Sequence, residues 1–144
     1  MATFETPKII RAESTLPAAG AFDTSAPIAC NSFKQITFHF TYIRGAAGGA
    51  LTYKVEFTNS LTPSPGLWKQ VAEFSPPAIV AGTDSLIPTQ RTAFKYVSTA
   101  AGREGFMSPA FNVSGNFVRI SVAESGVVIT PGEASVDIYL RGDA

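Results

Sequence analysis

The sequence predicts an all-β chain. The expected architecture is an antiparallel two-sheet β-sandwich or jelly roll of about eight strands, with an extended N-terminal arm. Three observations carry this. Apolar and polar residues alternate with a period of two in several segments. No window places apolar residues at i, i+3, i+4 and i+7 over a helical length. The 12 Gly and 10 Pro also interrupt the chain too often for long helices. Residues 1–33 read as the arm or a first edge strand, and residues 34–144 as the sandwich domain.

The arm carries Pro7, Pro17 and Pro27 at intervals of ten. Proline lacks a ladder donor, so this segment is expected to be extended and paired only intermittently. Its apolar side chains Phe4, Ile9, Ile10, Leu16, Phe22 and Ile28 are too many for a solvated tail. They must pack on the domain or on a neighbouring subunit.

The clearest alternation follows. Ile36, Phe38, Phe40 and Tyr42 alternate with Gln35, Thr37, His39 and Thr41, which predicts a half-buried strand. After Arg44-Gly45-Ala46-Ala47-Gly48-Gly49, Leu51, Tyr53, Val55 and Phe57 alternate with Thr52, Lys54 and Glu56. Two such strands joined by a glycine-rich loop read as an antiparallel hairpin. Asn59 to Gly66 is a loop, and Trp68 to Phe74 a strand with imperfect spacing. Ser75 to Gln90 reads as loop around a short apolar piece, Ala78 to Ala81. Thr92 to Val97 sets Phe94 and Tyr96 against Lys95. Gly102 to Ser114 holds a short strand near Phe106 or Phe111. Phe117 to Ala123 points Val118, Ile120 and Val122 inward. Ser135 to Arg141 does the same with Val136, Ile138 and Leu140, leaving Asp137 and Tyr139 outward.

Composition narrows the function. At 144 residues and 45% hydrophobic content, one domain can bury a real core. Eleven Lys and Arg balance eleven Asp and Glu. That argues against nucleic acid as a partner, because phosphate neutralisation needs a basic surplus. No stretch approaches the roughly 20 apolar residues that span a bilayer, so no membrane partner is expected. The first residues lack a signal-peptide apolar run, which predicts synthesis in the cytoplasm. Cys30 is the single cysteine and cannot form an intrachain disulfide.

No constellation of residues points to chemistry. His39 is the single histidine, on an outward strand position, with no G-x-S-x-G elbow to serve. A zinc site needs more His or Cys ligands than one of each. Asp23, Asp84, Asp137 and Asp143 are isolated, which disfavours a calcium loop. Glu56 and Glu73 could pair only as two remote carboxylates, and both sit where an outward charge is expected. The glycine-rich loop lacks the Gly-Lys-Ser/Thr ending of a phosphate cradle. Asn112-Val113-Ser114 reads as a turn, and Arg141-Gly142-Asp143 as a solvated terminus. Trp68 with Tyr42, Tyr53, Tyr96 and Tyr139 could form a sugar-stacking platform, but Tyr42, Tyr53 and Tyr96 fall on inward faces. The expectation is no catalytic, metal or cofactor residue, and hence a chain that is not an enzyme.

The modest all-β chain, the irregular segment Ala2 to Asn31 and the abundance of Ala, Ser, Thr, Gly and Pro resemble small β-sandwich structural proteins of tailed-bacteriophage particles. These include capsid decoration proteins and other head or tail accessories. The stretch from Ile36 to Tyr53 carries most of that likeness. The resemblance implies a virion component that packs with copies of itself and with a capsid or tail, and it implies no catalytic residue. The 15% charged content agrees, since charged groups are depleted in interface cores. Phe4, Ile9, Ile10, Leu16, Phe22 and Tyr139 are the expected interface residues. The alternative is a carbohydrate-binding β-sandwich module.

Overall fold

A computed structural model describes residues 2–4, 7–45, 50–62, 67–71, 73–75, 87–89, 94–98, 102–125 and 130–143. Fourteen strands run through them in chain order. They are β1 (Ala2–Phe4), β2 (Lys8–Thr15), β3 (Asp23–Thr24), β4 (Ile28–Ala29), β5 (Gln35–Ile43), β6 (Ala50–Thr58) and β7 (Lys69–Gln70). The rest are β8 (Glu73–Ser75), β9 (Ile87–Thr89), β10 (Phe94–Val97), β11 (Arg103–Met107), β12 (Phe111–Asn112), β13 (Phe117–Ser125) and β14 (Glu133–Asp143). One 3-10 turn, Ala18–Gly20, separates β2 from β3.

The strands form two six-stranded antiparallel sheets, a β-sandwich. In the first, β14 and β5 are central, with β1 and β2 on one side and β11 and β12 on the other. In the second, β13 and β6 are central, flanked by β3 and β4 and by β10 and β7. The β8–β9 pair stands apart as a two-stranded ladder.

The alternation placed the inward residues correctly. Ile36, Phe38, Phe40 and Tyr42 of β5 are buried, and so are Leu51, Tyr53, Val55 and Phe57 of β6. Val118, Ile120 and Val122 face Val136, Ile138 and Leu140 within the same core cluster. At one border a file of rings crosses between the sheets. Tyr96 stacks on Phe106 at 3.8 Å, Phe106 on Phe40 at 4.7 Å, and Phe40 meets Tyr53 at 4.5 Å. Close aromatic pairs of this kind add to the area they bury.

Several expectations need correction. β5 and β6 are not a hairpin: β5 pairs with β14 and β11, and β6 with β13 and β10. Each strand has one strongly apolar face, and the two faces bury most area by meeting across the sandwich. The long connection permits this, where a two-residue turn would force pairing. Its positions 46–49 lie outside the described residues. The single strand expected from Trp68 to Phe74 is two, β7 on β6 and β8 on β9. Part of the predicted loop Ser75 to Gln90 is therefore strand, while Ala78 to Ala81 lies outside the described residues. The one short strand expected between Gly102 and Ser114 is two, β11 and β12, both on β5. Arg141-Gly142-Asp143 is not a solvated end but the last part of β14, paired with β1.

The N-terminal segment is woven into the sandwich rather than projecting from it. β2 lies along β14 with register shifts at Val136, and β3 and β4 lie along β13. Thr24 bonds the Ser121 hydroxyl at 2.8 Å, which explains why Ser121 is buried despite its outward parity.

Candidate functional site

The expected interface residues have separate fates. Leu16 is 2% exposed and belongs to the chain's own core, so its assignment to an assembly interface is corrected. Its backbone N–H donates to the Gly132 carbonyl at 2.8 Å, which draws the side chain between the sheets. Ile10 is partly buried against the same core. Ile9, the adjacent residue of opposite parity, is 70% exposed. Phe22 is 38% exposed, with the Lys54 ammonium 4.0 Å from its ring centroid. Tyr139 is half-buried on the outer face of the first sheet, 6.4 Å from the exposed His39 ring. Phe4 lies on β1 opposite Arg141, and its side chain lies outside the description.

Four further exposed apolar side chains lie outside the expected set: Met107, Val97, Leu67 and Leu61. Met107 and Val97 sit on the border strands β11 and β10. Their parity signal was readable, because Phe106 and Tyr96 point inward beside them.

The outer face of the second sheet is organised by charge on aromatic rings. The Arg119 guanidinium lies 4.2 Å from the Trp68 ring centroid and bonds both oxygens of Glu56 at 3.3 Å. One face of Trp68 is thus occupied by a cation, which removes it as a stacking surface for a sugar. Glu56 is engaged with Arg119 rather than aimed at a second carboxylate, and the side chain of Glu73 lies outside the description.

A buried carboxylate ties the two sheets together at one end. Glu124 continues the inward series Val118, Ile120, Val122 and is 2% exposed. Its Oε2 accepts the Tyr42 hydroxyl at 2.5 Å and the Gly45 N–H at 2.8 Å. Its Oε1 accepts the Gly132 N–H at 2.8 Å. A Cβ on Gly132 would meet the Ile43 carbonyl oxygen, with Glu124 Oε2 and Gly45 N at 2.7 Å, so only glycine lets the backbone approach. Burial raises the Tyr42 phenol well above its ordinary range, and the hydrogen bond to Glu124 and its charge push the same way. This arrangement holds loops. It presents no open face to a substrate.

A cleft of about 680 Å³ opens between β6, β7 and β12. Phe57, Val71 and Phe111 give it apolar walls, while Asn59, Ser60, Gln70, Asn112 and Ser114 supply neutral polar groups. Among the described residues of its lining, Lys69 is the one charged side chain. Among the described residues no group of three or more His, Cys, Asp or Glu converges as a metal site would require.

No family model matches the chain, and no curated protein matches it. Solved structures of infectious bursal disease virus do. The Gx strain structure aligns over 99% of this chain at 13% identity and a TM-score of 0.42. The VP2 subviral particle aligns over 98% at 15% identity and a TM-score of 0.29. The chain spans 32% of the first of these partners and 40% of the second. Values this low assign it to no family.

Proposed function

We propose that this chain is a non-enzymatic structural subunit that packs with copies of itself and into a larger protein assembly. The finer reading is a virion, with a tailed-phage decoration or accessory role. The exposed Ile9 and Met107 on the first sheet's outer face carry the assembly part. Large apolar side chains left exposed on a sheet face are what interface cores use. The phage part rests on the resemblance of the Ile36–Tyr53 stretch and the small-residue composition. Light scattering of the full chain over a concentration series tests self-assembly. A mass that rises above the monomer is expected, and a monomer at every concentration would contradict it.

One observation favours a second reading. The cleft beside Phe111 has the size and the mixed lining of a small-ligand site, and its neutral amides and hydroxyls suit a glycan. Glycan-array binding lost on Asn112→Ala, with Trp68→Ala indifferent, would move the assignment to a carbohydrate-binding module.

A further inference from the structure

We infer that the outer face of the β5–β14 sheet pairs with the same face of a second copy, about a two-fold axis that runs parallel to the strands between β5 and β14. This deepens the self-assembly reading and rests on it.

The register supplies the reason. Met107 lies opposite His39, His39 opposite Asp137, and Asp137 opposite Ile9. Directly opposed residues share a face, so these four side chains form one row across β11, β5, β14 and β2. Ile9 and Met107 are 70% and 63% exposed, and His39 is exposed between them. The row reads apolar, imidazole, carboxylate, apolar. Reversed, it is complementary to itself, with imidazole against carboxylate and apolar against apolar. Rotation about the proposed axis sets Met107 against Ile9 of the second copy, and His39 against its Asp137.

The neighbouring rows obey the same operator. Thr37 is opposite Tyr139 within the sheet, and Thr41 opposite Ser135. The rotation lays each on the other's counterpart, with no like charges meeting. An axis running across the strands would instead set Asp137 on Asp137. Charge therefore selects the first arrangement.

The face has the right extent. β5 pairs with β14 over nine residues, which is roughly 30 Å of strand. Four strands add roughly 15–20 Å of width. That planar footprint, roughly 500 Å², approaches the ~800 Å² of accessible surface each partner buries in an ordinary interface. Arg103 on β11 reaches Glu13 on β2 across the two central strands and bounds the open region at one end.

The test uses two single variants of the full chain, His39→Glu and Asp137→Lys, in sedimentation velocity. His39→Glu sets a second carboxylate against Asp137 of the other copy, and Asp137→Lys removes the carboxylate that faces His39; each alone should weaken self-association, the first by about tenfold or more. Mixed together, they set the new carboxylate of one chain against the new ammonium of the other and keep the His39–Asp137 contact beside it, so the association should recover. A variant that associates as tightly as the parent, or a mixture as weak as its components, overturns the proposal. If either variant melts well below the parent, disulfide trapping replaces it. A Thr41→Cys chain mixed with a Ser135→Cys chain should cross-link between the two kinds of chain, and cross-links within one kind alone overturn the proposal. A parent that self-associates but ignores these changes overturns this face and leaves the assembly reading standing. A parent that stays monomeric overturns both.

Discussion

Tyr42 and Glu124 belong to different sheets, and the phenol of one donates to the buried carboxylate of the other at 2.5 Å. The same carboxylate receives Gly45 and Gly132, so one side chain closes the β5–β6 connection and the entry to β14. Glu124→Ala would leave three donors without this acceptor, and two of the lost bonds, those from Tyr42 and Gly132, are buried. It should destabilise the fold by about 3–5 kcal/mol. Tyr42→Phe removes one donor and leaves the carboxylate two, so about 1–2 kcal/mol is expected. Urea denaturation of both variants at neutral pH measures the difference, and equal costs would mean that Glu124 does not organise the two loops.

Alkaline pH should weaken the fold through the same pair. The Tyr42 phenol is raised in the folded chain, by burial first and by Glu124 second. Tyr96 is raised too, chiefly by its hydrogen bond to Glu104. A raised acid keeps its proton when folded and loses it more readily when unfolded. The stabilisation is complete below the unfolded value, about 10 for tyrosine, and is lost as pH rises through the folded value. Stability measured from pH 8 upward should therefore fall beyond pH ~10. Tyr42→Phe should flatten that fall, and an unchanged slope would exclude Tyr42 as a source.

Parity along β5 separates a core residue from a surface residue one position away. Phe40 is 2% exposed and touches the rings of Tyr53 and Phe106. Phe40→Ala should cost about 3–5 kcal/mol. His39→Ala, on the exposed face, should stay within about 0.5 kcal/mol in the monomer. Thermal melts at low protein concentration make the comparison without a contribution from association.

The same parity explains what could be read from the sequence. The long strands β5, β6, β13 and β14 each have one wet and one dry face, and period two reveals which residues are dry. It does not reveal which strand is the neighbour, because both sheets use the same alternation. The β5–β6 pair therefore reads as a hairpin in sequence although its strands lie in different sheets. β3 and β4 are two residues long, too short to show any period, and β2 carries register shifts along β14. Glu124 was legible in principle. It occupies the next inward position after Val122, and a carboxylate there announces a buried network. The Met107–His39–Asp137–Ile9 row was not legible, because it needs the register of four strands that are remote in sequence.

Cys30 should be inert in the folded chain. It is fully buried, its Sγ lies 3.4 Å from the Gly115 carbonyl oxygen, and burial pushes the thiol up to about 11. The thiolate is the reactive form. Alkylation by iodoacetamide at pH 8 should be slower than in urea by roughly a hundredfold or more. Rapid labelling without denaturant would mean that the β4 border opens readily.

Removing the N-terminal segment should unfold the sandwich rather than only loosen its assembly. From sequence, residues 1–33 read as an extended arm or a first edge strand, and the deletion in question removes residues 1 to 24. In the structure they contribute β1 and β2 to one sheet and β3 to the other. They also contribute Leu16 to the core and the Arg11–Asp23 ion pair at 3.0 Å. Burying a leucine fully is worth about 1.5–3 kcal/mol, and leaving its cavity adds to the loss. Leu16→Ala should therefore cost about 2–5 kcal/mol. Losing the whole segment adds the exposed edges of β14 and β13, whose ladder groups would lie open to other chains. The deletion should give an aggregating or unfolded product. Ile9→Ser is the contrasting variant. Ile9 is largely exposed, so the melting temperature should barely move while self-association weakens. A truncated chain that melts like the parent would show that the two sheets close without their N-terminal edges, and would restore the arm as a separable element.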